Sequence, residues 1–322
     1  MAKFLLRKIL ILLITFIGIS FVTFLVINIS PGKPQDMLEF SSKISYEAKQ
    51  KLIKLYGLDK PLHIRYLEWF KRFVTFDFGR SFKDEKPVIQ KILQRLPATL
   101  LLNILSLGLI FFGGCLLGIL CAMYQNKFLD KFISFIVFLG YSLPKYWLAL
   151  LCMLLFGIKL RILPISGLRS INFDYLPLHQ QIIDIIKHLI LPVIISAFGG
   201  LAGLTRYIRG SMIEQLNFEY IKFALSKGCT KNRIVFFHAF RNVLIPVVTI
   251  LGLSLPDIIG GSFIFETIFA YPGMGRLGYE AIMSRDYPLI MGISVITAIL
   301  TLLGNFVADI LYTYVDPRVR YK

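Results

Sequence analysis

The sequence predicts an all-α integral membrane protein with six transmembrane helices and both termini in the cytoplasm. Three observations carry that expectation. Of 322 residues, 56% are apolar and only 17% charged, and the mean hydropathy is +0.69, too apolar for an ordinary soluble domain. Six apolar runs, each near the length of about 20 residues that crosses a bilayer, divide the chain. The net charge of +17 comes from Lys and Arg that flank these runs, where phospholipid headgroups lie, instead of forming the single patch that nucleic acid requires.

The first run, 9–29, follows Lys3, Arg7 and Lys8. It is longer than the apolar stretch of a signal peptide, and Asn28-Ile29-Ser30-Pro31 offers no small-x-small cleavage site, so it reads as an uncleaved first helix. The others are 97–124, 132–158, 188–204, 243–265 and 289–314, the fourth being the shortest. With the N-terminus inside, 15 Lys and Arg fall on cytoplasmic segments and 6 on the short external loops, the asymmetry expected of that orientation. A single transmembrane domain, 1–322, then carries a large external loop, 30–96, and a cytoplasmic loop, 206–242. The 30–96 loop holds 14 basic residues yet is too long for the charge rule to apply. Within it, Ser45 caps a helix that places Ala48, Leu52, Leu55 and Tyr56 on one face and stops at Gly57. A second amphipathic helix starts at Pro61 and lines up Leu62, Tyr66, Trp69, Phe70 and Phe73. A helical cap on the membrane surface and a docking platform both fit.

Catalytic constellations are absent from the sequence. His63, His179, His188 and His238 are scattered over loops and span ends, and no span interior holds the His that intramembrane serine proteolysis needs. An aspartyl site needs two buried Asp, whereas only Asp257 lies away from a span end. Gly32-Lys33-Pro34 is the nearest approach to a phosphate-binding loop and lacks its earlier Gly and its hydroxyl, so any ATP is bound by another subunit. The 4 Cys show no CxxC spacing, and Cys115, Cys121 and Cys152 read as small apolar residues. Gly108, Gly113, Gly114 and Gly118 in the second span, with Gly199, Gly200 and Gly203 in the fourth, permit close helix contact.

The cytoplasmic loop carries the strongest local signal. Asn217 caps a short helix, 218–227, that ends at Gly228, and a second helix runs from Thr230 through Asn242 to Pro246 into the fifth span. Helix, turn and helix between two spans project a knob from the membrane. Ala224, one turn before Gly228, leaves room for another protein, although a loop packed on its own chain gives the same pattern.

At this knob the sequence resembles the permease signature of bacterial ABC importers, Glu-Ala-Ala-x-x-x-Gly. Ala224 and Gly228 match, while Lys222 and Phe223 replace the Glu and the first Ala. With His238, Arg241-Asn242 and Leu244-Ile245-Pro246, the lengthened motif is similar to the dipeptide/oligopeptide/nickel branch. So are Arg95-Leu96-Pro97-Ala98-Thr99-Leu100, Gly140-Tyr141-Ser142-Leu143-Pro144, Leu163-Pro164-Ile165-Ser166-Gly167 and the run Glu266-Thr267-Ile268-Phe269-Ala270-Tyr271-Pro272-Gly273-Met274-Gly275. This resembles the B-type permease subunit of an oligopeptide or dipeptide importer. The resemblance implies a type I ABC importer (MetI-like) fold in a bacterial plasma (inner) membrane. It implies a heterodimer with a homologous second permease subunit, two cytoplasmic ABC ATPases and an extracytoplasmic solute-binding protein. ATP and Mg would sit on the ATPases, with no cofactor, metal or nucleic acid on this chain and membrane lipid around it. Tyr220, Ala224, Gly228 and Cys229 would meet the ATPase. A nickel or other solute importer, and an ion-coupled secondary transporter, are the alternatives.

Two charges depart from that pattern. Lys145 and Asp257 each follow Ser-Leu-Pro, with Gly140 and Gly252 four residues before the Pro, so both spans can kink. Each charge lies roughly 20 Å along its helix at 1.5 Å per residue, and matched depth predicts either an ion pair or two groups that face the pathway separately.

Overall fold

The computed structural model describes residues 2–29, 60–75, 77–254, 258 and 261–315, and these form helices and the turns between them. Among the described residues four helices are long and apolar enough to cross a membrane, and two bent pairs bring the number to six if each pair counts as one span. Two compact units divide the chain, one of residues 1–96 with 277–303 and one of residues 97–276 with 304–322. The proposed helix at Ser45 to Gly57 lies outside the described residues.

In the first unit, α1 (Ala2–Ile29) and the amphipathic α2 (Leu62–Val74) pack through aromatic rings. Tyr66 meets Phe21 edge-on at 5.3 Å, and Phe16 sits 5.3 Å from Phe73. The hydroxyls of Ser20 and Tyr66 share a hydrogen bond of 2.9 Å. The aromatic part of the α2 stripe is therefore covered by α1 rather than by lipid headgroups. Farther on, Asp286 accepts from the Ser81 hydroxyl and from the Phe82 amide at 3.0 Å. Lys91 reaches Ser81 at 3.0 Å and Asp84 at 3.0 Å. These groups close the turn that leads into α3.

Helix α3 (Val88–Met123) begins nine residues before the expected span at 97, and α6 (Leu178–Leu216) overruns 188–204 at both ends. Hydropathy marks the stretch that lipid touches, whereas a helix satisfies its own backbone in water as well and need not stop at the interface. The start of the expected cytoplasmic segment 206–242 is accordingly helical, because Arg206 and Arg209 belong to α6.

The expected third span, 132–158, is broken rather than merely kinked. Helix α4 (Phe128–Ser142) and the helical run from Lys145 to Lys159 meet at 110°. Pro144 lacks the amide that would continue the ladder and pushes Leu143 into an extended conformation with φ −86° and ψ 136°. After the break come α5 (Lys145–Cys152) and a π-helical stretch, Met153–Lys159.

In the second unit α3 and α6 make close contact at Gly113, Gly114, Gly118 and Gly200, whereas a Cβ on Gly108 or Gly203 would meet nothing within 4 Å and Gly199 faces Lys145 of α5. A Cβ on Gly118 would lie 2.7 Å from Cβ of Ile208, and one on Gly114 2.9 Å from Leu204. Arg209 of α6 grips Asp130 of α4 with both arms of its guanidinium, at 2.7 and 2.8 Å, and the Asn126 amide donates to the same carboxylate at 2.9 Å. Asp130 is 2% exposed, so the pairing satisfies a buried charge.

Gly118→Leu should overpack the α3–α6 contact and destabilise the purified protein by about 1–3 kcal/mol, read as a lower thermal unfolding midpoint. Adding Ile208→Ala should recover part of the loss, since the two side chains compete for one space.

Candidate functional site

The knob is α7 (Glu219–Ser226), held between α6 and the run of α8 (Lys231–Arg233), a π-helical turn Ile234–Ala239 and α9 (Phe240–Ser254). Asn217 does not cap it. That residue closes α6, and Phe218, in extended conformation, starts α7 one residue later than expected. The stop is as the sequence indicates. Gly228 has φ +81°, its amide donates to Leu225 O at 2.9 Å, and the Cys229 amide donates to Ala224 O at 3.2 Å. A side chain would strain that left-handed residue, so glycine serves the turn. Nothing lies within 4 Å of where its Cβ would be, so the glycine is not there for close approach.

Ala224 points inward. It is 7% exposed and shares a core with Ile221, Met212, Ile234, Val235 and Val243. The small side chain expected to leave room for a partner instead lets α7 seat on its own chain. Cys229 packs at the edge of the same core and is half-buried, not on the outer face. Outward stand Phe223, 62% exposed with the Lys227 ammonium 4.4 Å from its ring centre, and Leu225.

Several of the motif residues do converge. Tyr220 donates to Gln215 Oε1 at 2.7 Å, and Asn242 donates to the Tyr220 oxygen at 3.0 Å and to His238 O at 3.3 Å. His238 enters through its backbone. Arg241 and Pro246 are exposed. Gln215 lay unremarked in the sequence because nothing in the spacing ties it to Asn242.

A cavity of about 600 Å³ opens among α3, α5, α6 and α9. Its polar lining includes Asn103, Ser106, Lys145, Ser196, Tyr207 and Ser254. Lys145 lies across Gly199, where a Cβ would come 2.8 Å from Cε and 3.3 Å from Nζ. Asp257, its expected partner, lies outside the described residues. Its neighbour Ile258 lines the cavity and accepts from Asn103 Nδ2 at 2.8 Å.

A second convergence escaped prediction. Glu266, in α10 (Phe263–Ile268), is 1% exposed. The carboxylate accepts from Thr99 Oγ1 at 3.0 Å and from the Arg276 amide at 2.8 Å, while Thr99 Oγ1 accepts from the Met274 amide at 2.7 Å. The Tyr271 hydroxyl donates to Ala98 O at 2.8 Å. Two motifs far apart in sequence are thereby one structure. An acid just beyond an apolar run was the available signal, but the expected span ended at 265. His188 is buried, its Nδ1 2.8 Å from Asp184 O. Among the described residues no group of three His, Cys, Asp or Glu could hold a metal ion.

Apolar helices of spanning length, a knob seated on their core and a partly polar cavity between them define a membrane transport subunit. The chain belongs to the family described as the binding-protein-dependent transport system inner membrane component, whose main part matches residues 114–321 and whose N-terminal part matches residues 1–103. It is a multi-pass protein of the plasma membrane and a transport subunit rather than an enzyme. The oligopeptide transport system permease protein AppB of Bacillus subtilis is 38% identical over 322 residues, covering 100% of both chains. The dipeptide transport system permease protein DppB of Escherichia coli is 33% identical over 339 residues, again covering 100% of both. An inward-facing structure of the MetNI methionine ABC transporter matches with a TM-score of 0.54 at 19% identity, over 71% of this chain and 97% of that one, a likeness of fold.

Gly228→Ala should cost about 1–2 kcal/mol in the left-handed turn. Faster amide hydrogen exchange in α7, with α6 unchanged, is the expected reading.

Proposed function

We propose that this chain is the permease subunit of an ATP-driven importer of dipeptides or oligopeptides. It forms half of the pathway with a homologous second permease subunit. Two cytoplasmic ATPases carry ATP and Mg, and an extracytoplasmic solute-binding protein delivers the peptide. The relatives' names concern peptide systems, which favours peptides over nickel.

One observation carries the mechanism: knob and cavity share a core. Leu204 and Val247 belong both to the core that seats Ile221 and Ala224 and to the cavity wall. Packed interiors transmit displacement, because side chains at crystal-like density cannot absorb it. An ATPase closing on the exposed face of α7 would therefore move α6 and α9 together and bias the cavity between outward and inward openings. With both termini inside, Phe223 is the natural anchor in an ATPase groove, since an exposed aromatic that becomes buried contributes most to such a contact.

Phe223→Glu should leave membrane insertion intact and reduce ATPase association and ATP-dependent peptide uptake by about tenfold or more. Uptake that survives in vesicles whose ATPases are inactivated, driven instead by an ion gradient, would support the secondary-transporter alternative and reject this one.

A further inference from the structure

Lys145 begins α5 immediately after the break, and no side chain caps the helix there. In the structure it is the one side chain with a full charge among the described residues lining the cavity of about 600 Å³, a volume within the roughly 300–1,000 Å³ of small-molecule sites. An ionised group at membrane depth is costly unless a ligand, a water-filled space or a partner compensates it. Gly199 supplies the space, since any side chain there would collide with the lysine stem. The same wall carries neutral polar groups, Asn103, Ser106, Ser196, Tyr207 and Ser254; the Ser106 and Ser254 hydroxyls already donate to Leu102 O and Ile250 O, which leaves their oxygens to accept from amide N–H groups.

We propose that Lys145 binds the carboxylate of the solute inside the cavity, the C-terminal carboxylate of a peptide being the group it meets. The proposal rests on the peptide reading above. Every unmodified peptide carries that carboxylate whatever its side chains, so one cation can hold any sequence, while the neutral wall accepts varied side chains without a matching contact for each. A lysine also suits passage. It is a point charge on a flexible stem, without the two-armed grip of arginine, and a site on a pathway must bind weakly enough to release.

The test uses the assembled complex with its ATPases and binding protein in proteoliposomes, comparing uptake of trialanine with that of trialanine amide. In the wild type the free acid should be preferred. Lys145→Gln should lower the acid-to-amide ratio by about tenfold, the loss of one charge-assisted contact, and Lys145→Arg should keep it. Because the binding protein is the same throughout, a change in that ratio belongs to the permease. A tripeptide amide with one Asp identifies the source. Uptake at the free-acid level assigns the site to any carboxylate, and uptake at the amide level assigns it to the C-terminus. An unchanged ratio in Lys145→Gln overturns the proposal, whereas a wild-type complex that moves neither peptide refutes the peptide reading itself.

A measurement on the unmutated complex covers the case of a variant that does not assemble. A carbodiimide should join the trialanine carboxylate to Lys145 through an amide bond, the carbodiimide taking up the lost water to become a urea, and trialanine amide, which has no carboxylate, should give no adduct at Lys145. Mass spectrometry showing adducts only at other lysines, or Lys145 joined instead to Asp257 of its own chain, would overturn the proposal.

Discussion

The apolar core shared by α3, α6, α7 and α9 is what the other features of the second unit depend on. Cys115 and Ile119 come from one long helix, Leu204, Ile208 and Met212 from another, and Ile221 and Ala224 from the eight-residue α7. A helix of two turns has no stability of its own in water, because nucleation outweighs so few hydrogen bonds. α7 exists as a rigid knob because its inner face is buried in the bundle. Its position is then tied to the walls of the cavity, which use some of the same residues.

Two carboxylates that enter this bundle are satisfied from within the chain. Asp130 receives a two-armed guanidinium and a backbone amide, and Glu266 receives a hydroxyl and a backbone amide. In lipid an unsatisfied group of this kind costs several kcal/mol, so each acts as a geometric constraint rather than a simple source of stability. Arg209 fixes how α6 stands against α4. Glu266 fixes the chain from α10 to Arg276 against α3, and Gly273 is part of that fit, since a Cβ there would run into the carboxylate. Lys145 differs, because it opens onto the cavity.

Much of this was legible in the residues. Six apolar runs, glycines that bring α3 and α6 together, the turn at Gly228 and a bend at Pro144, though not its 110°, follow from properties of single residues or short spacings: hydropathy, a missing side chain, a missing amide. The whole-chain resemblance rested on motifs, and motifs can be recognised without being placed. Thr99 and Glu266 belong to two separate runs, and only folding makes them partners.

The sequence by itself determined a multi-pass helical membrane chain, its turns and its family, because periodicity, backbone restriction and transfer from water to lipid act locally. Tertiary structure alone decided that Ala224 faces inward, that Phe223 is left outside, that Arg209 belongs to a helix and finds Asp130, and that Lys145 faces a cavity. Each of these depends on which surfaces meet. That choice is made by packing between segments tens to hundreds of residues apart, which no local pattern records.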